Sequence, residues 1–138
     1  MGLQLYMTGL TVQDMGKSLE FYRRLGVGFP EVGEQVTHVE ARMQGEYTLF
    51  LDSKPISRGQ AEKAEALDGY SVLLEFYMES RALVDAKYKE LTDFGYESYR
   101  PPFEVGRIGM YFALVNDPDG HTVLLSADLQ VAALPDEL

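Results

Sequence analysis

The chain has 138 residues, 46% of them hydrophobic and 25% charged, which is the size and composition of one globular domain. It has no cysteine, which excludes disulfides, zinc–thiolate sites and thiol catalysis, and its formal charge of -10 speaks against nucleic acid as a partner. No apolar run approaches the roughly 20 residues that span a bilayer and no basic-then-apolar leader opens the chain, so the expectation is a cytoplasmic protein without a membrane partner.

Residues 3–12, with Leu5, Tyr6, Leu10 and Val12, alternate loosely and suit a strand. Asp14 is placed to cap a helix that carries Met15, Leu19, Tyr22 and Leu25 on one face and ends at Gly26. Residues 36–43 and 46–52 read as two strands joined at Gln44-Gly45. The polar stretch Ser53 to Gly69 reads as a linker, with a short helix expected over Gln60 to Leu67. The pattern then restarts with a strand over Tyr70 to Met78 and a helix from Ser80 to about Phe94, whose apolar members are Leu83, Ala86, Tyr88 and Leu91 and which Gly95 closes. Residues 97–100 and 107–115 look extended, and the stretch Tyr99 to Arg107, with Pro101, Pro102 and Gly106, reads as a connection or a cover. Asp117-Pro118-Asp119-Gly120 is a turn, and His121 to Ser126 a last strand. Ala127 to Leu138 has no clear period.

The order strand, helix, strands thus occurs twice. A shift of 66 residues sets Val12 on Met78, Asp14 on Ser80, Tyr22 on Tyr88 and Leu25 on Leu91; a shift of 75 sets Gly45 on Gly120 and Leu49 on Leu124. The growing shift points to extra residues in the second unit near Arg100-Pro101-Pro102-Phe103.

Two segments carry a family resemblance. The first is Gly9-Leu10-Thr11-Val12-Gln13-Asp14, followed by Ser18 and Phe21-Tyr22-Arg23-Arg24-Leu25-Gly26; the second is Asp117-Pro118-Asp119-Gly120-His121. In this order and spacing the chain resembles the glyoxalase / bleomycin-resistance / extradiol-dioxygenase superfamily, over most of residues 3–126. The resemblance implies an α+β fold of two βαβββ modules (about 3–53 and 70–127, linker about 54–69, tail 128–138). These curl into a cup-shaped incomplete barrel, the vicinal oxygen chelate fold, as a single domain. It also implies a small molecule in the cup, a divalent metal in the enzymes, and a homodimer.

The family's metal-ligand positions, carried onto this chain, fall on Met7, Leu73 and Leu124, and by the internal repeat on Leu49. All four are apolar, whereas a hard divalent ion needs oxygen or imidazole donors. The expectation is therefore that no metal or other cofactor is used. A rebuilt site of His38, His121 and Glu75 is the alternative, though no spacing supports it.

Strand alternation places Met7, Gly9 and Thr11 on one face, and Leu73, Glu75 and Tyr77 on the equivalent one. The expected ligand-binding cup is Met7, Gly9, Leu49, Leu73, Glu75, Tyr77, Phe103, Tyr111 and Leu124, with Tyr47 and Phe112 nearby. Glu75 would hold a positive group, act as a base, or pair with an arginine such as Arg42 or Arg107. Nine tyrosines, seven phenylalanines and the acidic charge suit a flat or cationic organic ligand. The first reading is a metal-independent binding protein of the bleomycin-resistance type that sequesters an aromatic or cationic compound. The alternatives are a divergent glyoxalase-type lyase, isomerase or dioxygenase-like enzyme with an atypical metal site, or an accessory domain whose cup is filled by side chains.

Overall fold

A computed structural model describes residues 5–54, 70 and 72–129. The chain divides into two compact units, Met1–Ala66 and Leu67–Leu138. The helix expected over Gln60 to Leu67 and the tail beyond Leu129 lie outside the described residues.

The first unit runs β1 (Met7–Thr11), α1 (Met15–Leu25), β2 (His38–Met43) and β3 (Tyr47–Asp52). Helix α1 starts where the sequence supplies a cap: the Asp14 carboxylate accepts the Lys17 N–H at 3.0 Å. It stops at Gly26, whose φ of 123° is open to glycine and costly for other residues, and whose N–H bonds back to the carbonyls of Tyr22 and Arg23. Strand β3 is central, parallel to β1 and antiparallel to β2. Leu10, Val39, Ala41, Leu49 and Leu51 are buried on one face of this sheet, and α1 packs on β3 with Leu19, Phe21, Tyr22 and Leu25 buried. Phe21 and Tyr22 meet edge to face at 4.8 Å, the arrangement their ring quadrupoles favour.

The second unit runs β4 (Leu73–Tyr77), α2 (Arg81–Phe94), β5 (Ser98–Val105), β6 (Met110–Asn116) and β7 (Thr122–Asp128). Ser80 caps α2 by accepting the Leu83 N–H at 3.2 Å, and Gly95 ends it in the left-handed region. The strand order is β4-β7-β6-β5, with β4 parallel to β7 and the other neighbours antiparallel. Helix α2 covers one face, across β5, β6 and β7, over the buried Val123, Leu125, Ala127, Ala113 and Val115. No helix among the described residues is long and apolar enough to cross a membrane.

The first unit has, among the described residues, the three strands that its sequence pattern gives, and two expectations in the second unit need correction. After α1 the chain buries Val27 and Phe29 without forming a strand, and the Arg23 side chain donates to the carbonyls of Phe29 and Pro30, tying this segment to the helix. On α2, Leu83 and Ala86 are exposed and the buried line is Val84 and Leu91, because residues seven apart return to the same side of the helix. The stretch Tyr99 to Arg107 is mostly strand β5 rather than a connection. It is an edge strand, where Pro101 and Pro102 can lack an N–H without breaking an interior ladder.

On the face of the first sheet away from its buried leucines, Gly9 pairs with Phe50 in register, and a Cβ at Gly9 would overlap the Phe50 ring. Gly9→Ala should therefore destabilise by about 1–3 kcal/mol through overpacking. The same change made in a Phe50→Ala background should cost markedly less. A double-mutant cycle by urea unfolding checks this; additive costs would show that the ring does not impose the glycine.

Candidate functional site

Register decides which side chains share a face, because paired residues point the same way and neighbours along a strand alternate. In the second sheet one cross-strand row runs Glu75, Leu124, Leu114 and Arg100, from β4 through β7 and β6 to β5. The next row along runs Tyr77, Ser126, Phe112 and Phe103. Val123, Leu125 and Ala113 belong to the opposite face, under α2. The face away from α2 carries a cavity of about 410 Å³. Its walls are Leu73, Val105, Leu114 and Leu124 with the rings of Tyr70, Tyr99, Phe103 and Phe112, and Arg100 is the single charged residue among them. Phe103 and Phe112 meet edge to face at 5.9 Å, as do Tyr70 and Tyr99 at 5.8 Å.

Arg100 and Phe103 reach this face together through an irregularity in β5. Phe103 pairs with Phe112 and Arg100 with Leu114, so three steps on β5 match two on β6. In a regular strand residues 100 and 103, an odd number of steps apart, would point to opposite faces; the irregularity at Pro101-Pro102 brings both to one face. As built, the Arg100 guanidinium carbon lies 3.5 Å from the centre of the Phe103 ring.

Of the residues expected in a cup, the cavity brings together Leu73, Phe103 and Leu124. Glu75 is on the same face, exposed, and makes no ion pair or hydrogen bond among the described residues. Tyr77 is also on that face, and its hydroxyl donates to Asp128 at 2.6 Å. Hydrogen bonding to that carboxylate is the main reason the phenol is held above its ordinary pKa. Met7 and Gly9 lie in the first unit on the side of β1 opposite the buried Leu10.

Tyr111 and Leu49 are placed differently. Tyr111 alternates with Phe112 and faces α2, where its hydroxyl bonds to Asp85 at 2.5 Å and Arg81 stacks 4.2 Å from the ring centre. Burial, and then the Asp85 hydrogen bond, push its phenol pKa up. Leu49 is 2% exposed, on the buried face with Leu51. Strand β1 meets β3 as β4 meets β7: Met7 faces Thr48 and Gly9 faces Phe50, whereas Leu73 faces Thr122 and Glu75 faces Leu124. The structural counterpart of Leu124 is therefore Phe50, one residue from the one that the sequence repeat selects. Tyr47 shares the side of Leu49, and its hydroxyl is hydrogen-bonded to Thr8. The cavity residues Tyr70, Tyr99, Arg100, Val105 and Leu114 lie outside the expected set; alternation of β6 about Phe112 instead of Tyr111 would have selected Leu114.

Comparison with known proteins places this architecture. The model of the Glyoxalase/Bleomycin resistance protein/Dioxygenase superfamily matches residues 4–125. The chain belongs to this superfamily. Solved structures from the same superfamily share the fold at low identity. A glyoxalase/bleomycin resistance protein/dioxygenase from Nocardioides is 23% identical with a TM-score of 0.69, covering 100% of this chain and 91% of the other. A glyoxalase-related enzyme from Fulvimarina pelagi is 20% identical with a TM-score of 0.70, covering 94% and 93%. A lactoylglutathione lyase from Agrobacterium tumefaciens is 18% identical with a TM-score of 0.64, covering 90% and 92%. None of the curated proteins matches the chain.

The positions that the superfamily resemblance gives to metal ligands hold Met7, Leu73, Leu124 and, by register, Phe50. Three hydrocarbon side chains and a thioether do not supply the oxygen and imidazole donors that a hard divalent ion requires, so these positions do not fit one. The histidines have other partners. His38 Nε2 lies 2.9 Å from Glu40, and its ring lies against Phe50 at 4.9 Å. His121 belongs to the turn before β7. The buried Asp117 carboxylate accepts the backbone N–H groups of Asp119 and His121, each at 2.8 Å, and its second oxygen lies 2.8 Å from His121 Nδ1.

The hydrogen bond to Asp117 raises the His121 pKa against the opposing effect of burial. A raised folded-state pKa stabilises most below the unfolded value of about 6.5, and that contribution is lost as pH rises through the folded value. The wild type should lose more stability than His121→Asn between about pH 5.5 and about pH 8.5. Denaturant melts at both pH values check this; parallel pH dependence in the two proteins would rule out a role for the pair.

Proposed function

We propose that this chain is a small-molecule-binding member of the superfamily, which takes a flat, largely apolar ligand onto the open face of its second sheet and uses no metal ion at the superfamily's ligand positions. The observation that carries this reading is the cavity of about 410 Å³ walled by four aromatic and four aliphatic side chains. That volume falls in the range of roughly 300–1,000 Å³ typical of small-molecule sites. Exposed tyrosines support it: Tyr70 and Tyr99, which line the cavity, are 46% and 41% exposed, and a stacked ring would cover part of that surface. Of the aromatic and cationic ligands that the sequence suggests, the aromatic class suits these walls, since the one charged residue in them is an arginine.

A second reading is an enzyme in which Glu75 acts as a base. It is favoured by the carboxylate of Glu75, unpaired among the described residues and in register with Leu124 on the same face as the cavity. Glu75→Gln would then abolish turnover of a ligand that still binds. Under the binding-protein reading the substitution leaves affinity for a neutral ligand unchanged.

The test is thermal melting of chelator-treated protein. A ligand that binds only the folded form stabilises it, by about 2.7 kcal/mol at a hundred times its Kd. An aromatic compound that fills the cavity should raise Tm, and Leu73→Trp, which places an indole in the cavity, should remove that response. Nickel, zinc and manganese should leave Tm unchanged. Retention of one divalent ion per chain, with a matching rise in Tm, would overturn the metal-independent reading.

A further inference from the structure

Resting on the reading of the cavity as a ligand site, we propose that Arg100 selects the ligand's charge, so that the site takes aromatic acids: compounds with a flat ring system bearing a carboxylate or comparable oxyanion. The chain carries 22 acidic residues against 12 lysines and arginines, so a surface arginine has ample opportunity to pair. Arg23, Arg24 and Arg81 engage a carbonyl or a carboxylate, whereas Arg42 and Arg107, like Arg100, have no carboxylate partner among the described residues; of these three only Arg100 lines the cavity. Glu75, in the same cross-strand row, is three strand spacings away, roughly 14 Å along the backbone at about 4.8 Å per spacing, and forms no ion pair with it.

The geometry then says how the group is held. The irregularity at Pro101-Pro102 turns Arg100 to the cavity face, and the Phe103 ring lies 3.5 Å from its guanidinium carbon. That contact orders the side chain by cation–π attraction without using up its charge, and its N–H donors have no carboxylate to bond among the described residues. A carboxylate can be met by two of these donors at once, in the forked geometry that lysine cannot reproduce. Beside the arginine, Leu114 and Leu124 offer an apolar floor and Phe112 an aromatic wall, so a ligand ring has a place to lie once its acid is engaged. A cationic ligand would instead meet a like charge, which disfavours it.

The experiment uses three probes of nearly equal shape: naphthoate, naphthamide and naphthylmethylamine, titrated calorimetrically into the wild-type protein, Arg100→Gln and Arg100→Lys. Naphthoate should bind most tightly to the wild type and weaken with added salt. Arg100→Gln should weaken naphthoate by about ten- to a hundredfold, the loss expected for hydrogen bonds to a charged group, while naphthamide changes by less than about twofold. Arg100→Lys should recover only part of the naphthoate affinity, because it restores the charge without the fork. Melting of each unliganded variant verifies that it is folded. Equal or tighter binding of the amine, or naphthoate affinity indifferent to Arg100→Gln, would overturn the charge selection and leave the cavity reading standing. Failure of all three probes to bind folded wild-type protein would count against both.

Discussion

The register of β7 against its two neighbours is the constraint on which the second unit depends. Strand β7 lies between β4, parallel, and β6, antiparallel, and is buried from Thr122 to Ala127. Its alternation sends Val123, Leu125 and Ala127 to the α2 side, and Thr122, Leu124 and Ser126 to the other. Because side chains alternate with a period of two, a slip of one residue would exchange these sets and put the cavity floor under the helix. The Asp117 turn sits at the start of this strand. A single buried carboxylate collects two backbone N–H groups and the His121 ring there, and so fixes where β7 begins.

The edge of the same sheet shows the opposite device. Strand β5 breaks its alternation at two places, between Ser98 and Arg100 and between Arg100 and Phe103. Each break re-aims a side chain: Ser98 bonds with Tyr88 of α2, whereas Arg100 and Phe103 both line the cavity. Edge strands accommodate such breaks because only one side is paired, and prolines belong there for the same reason. A regular β5 would have separated the cation from the ring that holds it.

The two units repeat one plan with different chemistry on their open faces. In both, the first strand runs parallel to the last, and the paired positions that the superfamily can use for a metal hold hydrocarbon or thioether side chains. In the first unit the space next to the strand is taken by Phe50, whose ring lies where a side chain at residue 9 would have to go. In the second, the equivalent position is Leu124, which is small enough to leave a floor. Membership of the superfamily describes this scaffold; what the scaffold does depends on the side chains at these positions.

Much of the fold was legible in the sequence because its signals are local. Asp14 and Ser80 cap helices through their own side chains, Gly26 and Gly95 end them by occupying positive φ, and Asp117 to Gly120 makes a turn from residues in contact along the chain. The apolar identity of Met7, Leu73 and Leu124 is likewise a fact of sequence that no folding can change. Which residues share a face is not local. Leu49 was expected where Phe50 lies, and Tyr111 was expected where its neighbour Phe112 lies; each is an error of one residue in a pattern whose period is two. The meeting of Arg100 with Phe103 depends on an irregularity of β5 that only its pairing with β6 defines. The sequence by itself determined both helices with their caps, the Asp117 turn, and the apolar identity of Met7, Leu73 and Leu124. The tertiary structure alone decided which side chains face the cavity, because facing is a property of register between strands distant along the chain.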